Sequence, residues 1–135
     1  MDKKKVLILA VAIILLAGIV YGANCLINLA YYKNVMPTVK IDTIDVSKLE
    51  DGVYEGSFDA RIIATAVEVT VKDGEITKID LVRNKFERGG HAVAVVDRII
   101  SEQSPDVDVV FGATNSSKAI LKAVENALKS GPLKK

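Results

Sequence analysis

From Val6 to Ala23 the chain reads VLILAVAIILLAGIVYGA, a run with no charged residue. As a helix rising about 1.5 Å per residue, it nearly covers the roughly 30 Å hydrocarbon layer of a bilayer. No comparable run occurs later, so the segment is read as one membrane-spanning helix within a 1–30 anchor. Lys3, Lys4 and Lys5 stand directly before it. A basic cluster of this kind stays on the cytoplasmic side, which directs the remainder of the chain outward and predicts a single-pass protein of the cell membrane. Tyr21, Tyr31 and Tyr32 are expected at the far headgroup layer. A cleaved signal peptide fits less well. Cleavage after Ala23 puts Tyr21 where a small residue is needed, and Leu26, Ile27 and Leu29 continue the apolar character past a break at Asn24. Cys25 as a lipidated cysteine would follow Asn24, a bulky amide where a small residue is expected.

Beyond the anchor the 135-residue chain leaves about one hundred residues, enough for one modest domain. The formal net charge of +1 excludes the strongly basic face of a nucleic-acid protein. Cys25 is the only cysteine and His91 the only histidine, so no disulfide framework or thiolate zinc site can form within one chain.

Residues 31–49 mix charge with isolated apolar residues and suit a linker or a lead-in strand without chemistry. From there the pattern becomes regular, and residues 50–130 are read as the domain, with 131–135 as a tail. A first strand is expected at Val53–Phe58. Thr65 to Val71 alternates Val67, Val69 and Val71 against Glu68 and Thr70, as a strand with one buried face does. Lys72-Asp73-Gly74 supplies a turn tolerant of positive φ, and Ile76 to Val82 returns as the hairpin partner. Asn84 to Gly90 reads as a loop. A helix is expected over His91–Gln103 with Val93, Val96, Ile99 and Ile100 on one face, ended by Pro105, and a second over about Ser116–Lys129, ended by Gly131-Pro132. This order gives an α+β domain, a small antiparallel sheet packed with two helices, preceded by one N-terminal transmembrane helix.

Chemistry concentrates between Val107 and Lys118 (VDVVFGATNSSK), where an apolar run passes through Gly112-Ala113 into a helix start. Helix N-termini offer unpaired N–H groups and partial positive charge to a phosphate, and glycine permits close backbone approach. Ser116 or Ser117 is expected to cap the helix, with the Thr114 hydroxyl beside the same end. By itself this is also an ordinary way to turn into a helix.

The run Asp108-Val109-Val110-Phe111-Gly112-Ala113-Thr114-Asn115-Ser116-Ser117 resembles the flavinylation motif of the FMN-binding domain family, which includes the FMN-bearing subunits of sodium-pumping NADH:quinone reductase and of the Rnf complex. In that motif an Asp is followed three residues later by Ser-Gly-Ala-Thr. Asp51-Gly52-Val53-Tyr54-Glu55-Gly56 is similar to the family's opening strand, Val67 to Ile79 to its central hairpin, and Ala119 to Leu128 to its closing helix. The resemblance implies FMN esterified through its phosphate to Thr114. It further implies that Asp108, Gly112 and Ala113 are recognised by a flavin transferase using FAD. The implied role is electron relay between redox partner proteins or quinone-linked donors and an outside acceptor. Phe111 departs from the motif's Ser: either it weakens transferase recognition or it packs against the dimethylbenzene edge of the flavin. Two other readings share the fold, a reductase that binds FMN reversibly and a flavin-free membrane-tethered interaction module. His91, Lys85 and Arg88 are secondary candidates for contact with the flavin.

Overall fold

The computed structural model describes residues 2–85, 94–110 and 112–132. Helix α1 spans Lys3–Val35, capped by the Asp2 carboxylate, which accepts from the Lys4 N–H. Its 33 residues extend about 50 Å. It is long and apolar enough to cross a membrane, and it is apolar on all sides, as a helix meeting only lipid must be. No break occurs at Asn24. The helix continues until Pro37, which has no N–H to donate, and Met36–Thr38 tighten into a 3-10 turn.

The stretch after α1 differs from the expected linker or lead-in strand. Tyr32 turns toward the domain and is buried together with Met36, against Ala60, Ile63 and Ala119. A second 3-10 turn at Val46–Lys48 buries Val46, while Ile41, Ile44 and Leu49 pack against the main core. The segment therefore covers apolar surface that the small sheet alone would leave in water.

Three antiparallel strands follow in the order β1 (Gly52–Asp59), β2 (Ala64–Lys72) and β3 (Glu75–Lys85). Central strand β2 buries Thr65, Val67, Val69 and Val71 on one face, the face that the alternation marks. Lys72 pairs with Glu75 across Asp73 and Gly74, both at positive φ (54° and 75°), as a tight hairpin turn of matching twist requires. Strand β3 runs further than expected, into the segment read as a loop, because Ala64 to Ala66 of β2 continue to pair with Lys85 to Arg83.

Helix α2 (Ala94–Glu102) buries Val95, Val96 and Ile99. Gln103 fastens its end to β3: its side-chain oxygen accepts from the Ile76 N–H at 2.6 Å, and its amide donates to Ile76 O at 3.0 Å. The expected helix start at His91 and the Val93 position lie outside the described residues.

Helix α3 (Thr114–Ser130) lies across the sheet, burying Ile120, Leu121, Val124 and Leu128. Gly56 of β1 makes this approach possible. A Cβ there would stand 2.3 Å from Ala127 N and 2.4 Å from Ala123 O. Glu125 is also buried, 1% exposed, and its carboxylate meets Lys129 at 2.8 Å and Lys122 at 3.1 Å and accepts from the Asp42 N–H at 3.3 Å. Burial pushes its pKa up, but the bonds from Lys129 and Lys122 outweigh that and hold it below the usual value. Lys129, bonded to Glu125 and Asp42, is pushed up to about 12.

Candidate functional site

The residues marked by the sequence lie where the chain turns from α2 into α3. Arg98, on the exposed side of α2, donates through one guanidinium nitrogen to the carbonyl oxygens of Asp108 and Val109, each at 2.9 Å. That fork holds the run Val107–Val110 beside the helix. Nothing in the local sequence pattern signals Arg98, since an exposed helical arginine is ordinarily solvated.

From Val110 the chain folds back tightly. The Ala113 N–H donates to Val110 O at 3.0 Å. Gly112 sits at φ 82°, a conformation that costs any L side chain roughly 1–2 kcal/mol, and a Cβ placed there would meet no atom of the described residues beyond its chain neighbours within 4 Å. The space beside Gly112 is open to an incoming group. Phe111, His91 and Arg88 lie outside the described residues. Lys85 is described at the end of β3, where its ammonium donates to Arg61 O at 2.8 Å.

Helix α3 starts two residues earlier than expected, and neither serine caps it. The N-cap position is Ala113, with no side-chain hydrogen bond to the first turn. Ser116 and Ser117 are buried inside that turn. The Ser117 hydroxyl instead accepts the Val110 N–H at 3.1 Å, pinning the preceding run to the helix, and the Ser117 N–H donates to Ala113 O at 2.9 Å. Asn115 donates from its amide to the Tyr32 hydroxyl at 2.7 Å, tying the helix start to the end of α1. Thr114, the first residue of α3, is exposed.

The electrostatics of this end favour an anion. The first turn of α3 carries no acidic side chain, so its N–H groups and dipole meet no negative charge of the helix's own, while Lys129 sits in the last turn. A phosphate at Thr114 Oγ1 would face N–H donors of an uncapped helix and the open side of Gly112, and the donor set fits that group. Asp108 points elsewhere. With Asp97, Arg98, Glu102 and Asp106 it lines a neighbouring cleft of about 820 Å³. Four carboxylates against one guanidinium would repel a phosphate from that cleft.

Comparison with known proteins bears on the domain as a whole. The profile of the FMN-binding domain matches residues 64–129. An uncharacterized protein of Treponema pallidum (strain Nichols) is 35% identical over 85 residues, 61% of this chain and 24% of the relative. The match thus spans about a quarter of that relative's length. No solved structure matches the chain. Residues 64–129 thus carry the pattern of an FMN-binding domain, which indicates FMN as the cofactor.

Proposed function

We propose that this protein is a single-pass membrane flavoprotein whose domain lies outside the cytoplasm, carries FMN through a phosphoester on Thr114 Oγ1, and relays electrons between membrane donors and an outside acceptor. One observation carries the reading: exposed Thr114 opens a helix without a side-chain cap, two positions after Gly112 at positive φ. In transfer from FAD the Thr114 oxygen would be the nucleophile, losing its proton as the pyrophosphate bond breaks and AMP leaves, and the first N–H groups of α3 would offset the phosphate charge. Gly112 admits the phosphate to the backbone, and Ser117 and Arg98 hold the turn in shape on either side. When bound, FMN supplies the one- and two-electron redox chemistry, and the protein fixes its position and tunes its potential. Lys3 to Lys5 before the span support the outward orientation. A covalent link also suits a compartment where a dissociated flavin is lost by diffusion.

The test is co-expression with a flavin transferase, followed by a denaturing gel viewed under ultraviolet light. The expected result is a fluorescent band for the unaltered protein and none for Thr114→Ala. A protein that is yellow when native and colourless after denaturation supports reversible binding instead. One that stays colourless with transferase and FAD supplied contradicts a flavin role for this chain.

A further inference from the structure

The exposed surface of α1 stays uncharged and largely apolar from Val6 to Tyr31, including Leu26, Ile27 and Leu29 beyond the initial run. Removing these side chains from water requires about 39 Å of helix, the hydrocarbon layer plus the headgroup region on one side. The domain grips the helix without slack at that level. Arg61 stands over the Tyr31 ring at 4.3 Å from its centroid and approaches Asn28 Oδ1 at 3.4 Å. Asn115 binds the Tyr32 hydroxyl, only about 4.5 Å along the axis beyond Leu29. Tyr32 and Met36 are buried against Ala60, Ile63 and Ala119.

One pole of the domain is thereby fixed at the end of the span. It comprises the turn between β1 and β2, the end of β3 and the start of α3. The β2–β3 hairpin lies at the opposite pole, since β2 runs away from Ala64 for about 26 Å. Among the described residues, the exposed cations Lys33, Arg61 and Lys85 stand at the proximal pole, with exposed Arg83 two positions further along β3. Asp59, the acidic side chain in this turn, accepts the Arg61 N–H at 2.6 Å.

We propose that this pole rests on the headgroups of anionic phospholipids, with Lys33, Arg61 and Lys85 facing lipid phosphates, so that the start of α3 is held at the membrane surface. The inference rests on α1 spanning the bilayer. If Thr114 carries FMN, the cofactor sits within reach of donors dissolved in or bound to the membrane, without a swinging tether. Each cation at an anionic surface favours the contact roughly fivefold.

The experiment uses the full chain with Cys25→Ser in nanodiscs of phosphatidylglycerol and phosphatidylcholine containing nickel-chelating lipid. A nitroxide is attached through Arg83→Cys, near the proximal pole, or through Glu75→Cys at the hairpin, about 20 Å further along the sheet. Circular dichroism confirms that each variant is folded. The expected result is strong relaxation by lipid-bound nickel for the first label and little for the second. Separately, acyl-chain spin-labelled phosphatidylglycerol should be preferred over spin-labelled phosphatidylcholine in the lipid shell of the unlabelled protein, and Arg61→Glu with Lys85→Glu should lower that preference at least roughly fivefold. Equal insensitivity of both labels overturns the inference, and so does a lipid shell with no preference for phosphatidylglycerol or one whose preference the double variant leaves unchanged. Carbonate extraction separates the failures. Release of the protein overturns the membrane reading and this inference together, whereas an integral protein with insensitive labels overturns the inference alone. The labels read distance with or without flavin, so the outcome does not depend on FMN attachment.

Discussion

Replacing Gly56 by alanine tests whether α3 lies against β1 as closely as described. The added Cβ would stand 2.3 Å from Ala127 N, 2.4 Å from Ala123 O and 2.6 Å from Ala127 Cα, where ordinary contact begins near 3.4 Å. All three atoms are backbone, so no side chain can rotate away, and the helix must retreat by about 1 Å. A gap of that size forfeits a quarter to a half of the contact energy of the atoms facing it. Those atoms belong to Val124, Ala127, Leu128 and their neighbours, which seal the sheet. The cost falls at the upper end of overpacking, about 3 kcal/mol. For a domain of this size that lowers Tm by roughly 12–24 °C. Thermal unfolding of the full chain in detergent, followed by the near-ultraviolet signal of its tyrosines, reads the change. Ala127→Gly should not rescue the variant, because the clash is with main chain. A Tm within about 2 °C of the parent, or full rescue, would refute the close approach.

Glu125→Ala leaves Lys122, Lys129 and the Asp42 N–H without their shared acceptor and should cost about 3 kcal/mol, with Glu125→Gln milder; chemical denaturation measures both. Because the Glu125 pKa is held below its unfolded value, its stabilisation is complete above the unfolded pKa near about 4.3 and is lost as pH falls through the lower folded value. Stability measured from pH 7 to pH 2 should therefore decline at the acid end, and Glu125→Gln should flatten part of that decline. Tyr32→Phe removes the acceptor for Asn115 and should cost about 1 kcal/mol or more by the same unfolding assay. Gly112→Ala should cost about 1–2 kcal/mol from its positive φ alone, since the added methyl meets open space, so a larger loss in Tm would contradict the open geometry.

The hairpin and the helices were legible because their signals are local. Alternating valines and an Asp-Gly turn permit few conformations, and apolar residues at helical spacing mark the buried faces of α2 and α3. The segment between α1 and β1 was not legible. Met36, Ile41, Ile44, Val46 and Leu49 follow neither a strand nor a helix period, and only the assembled core shows what they cover. Pro37 in this stretch is visible, but not the inward turn of Tyr32. At the site, Gly112-Ala113-Thr114 could be found from the sequence, whereas the helix start was misplaced by two residues. Serines near a helix start ordinarily act as caps; here the backbone turn closed by Ala113 and Val110 already defines the start, and Ser117 serves the run before it. Glu125 and Arg98 were missed for a shared reason. A charged residue on a helix reads as solvated until its partners, 83 positions away for the Asp42 N–H or on the neighbouring strand-like run for Arg98, are brought beside it.

The central claim is that Thr114 holds the flavin. Protein co-expressed with a flavin transferase, digested with trypsin and sequenced by tandem mass spectrometry tests it directly. The peptide from Ile99 to Lys118 is expected to carry an FMN-sized increment localised to Thr114, and Thr114→Ala to yield the same peptide unmodified. An unmodified Thr114 in protein that still fluoresces after denaturation, with the increment on another residue, would contradict it.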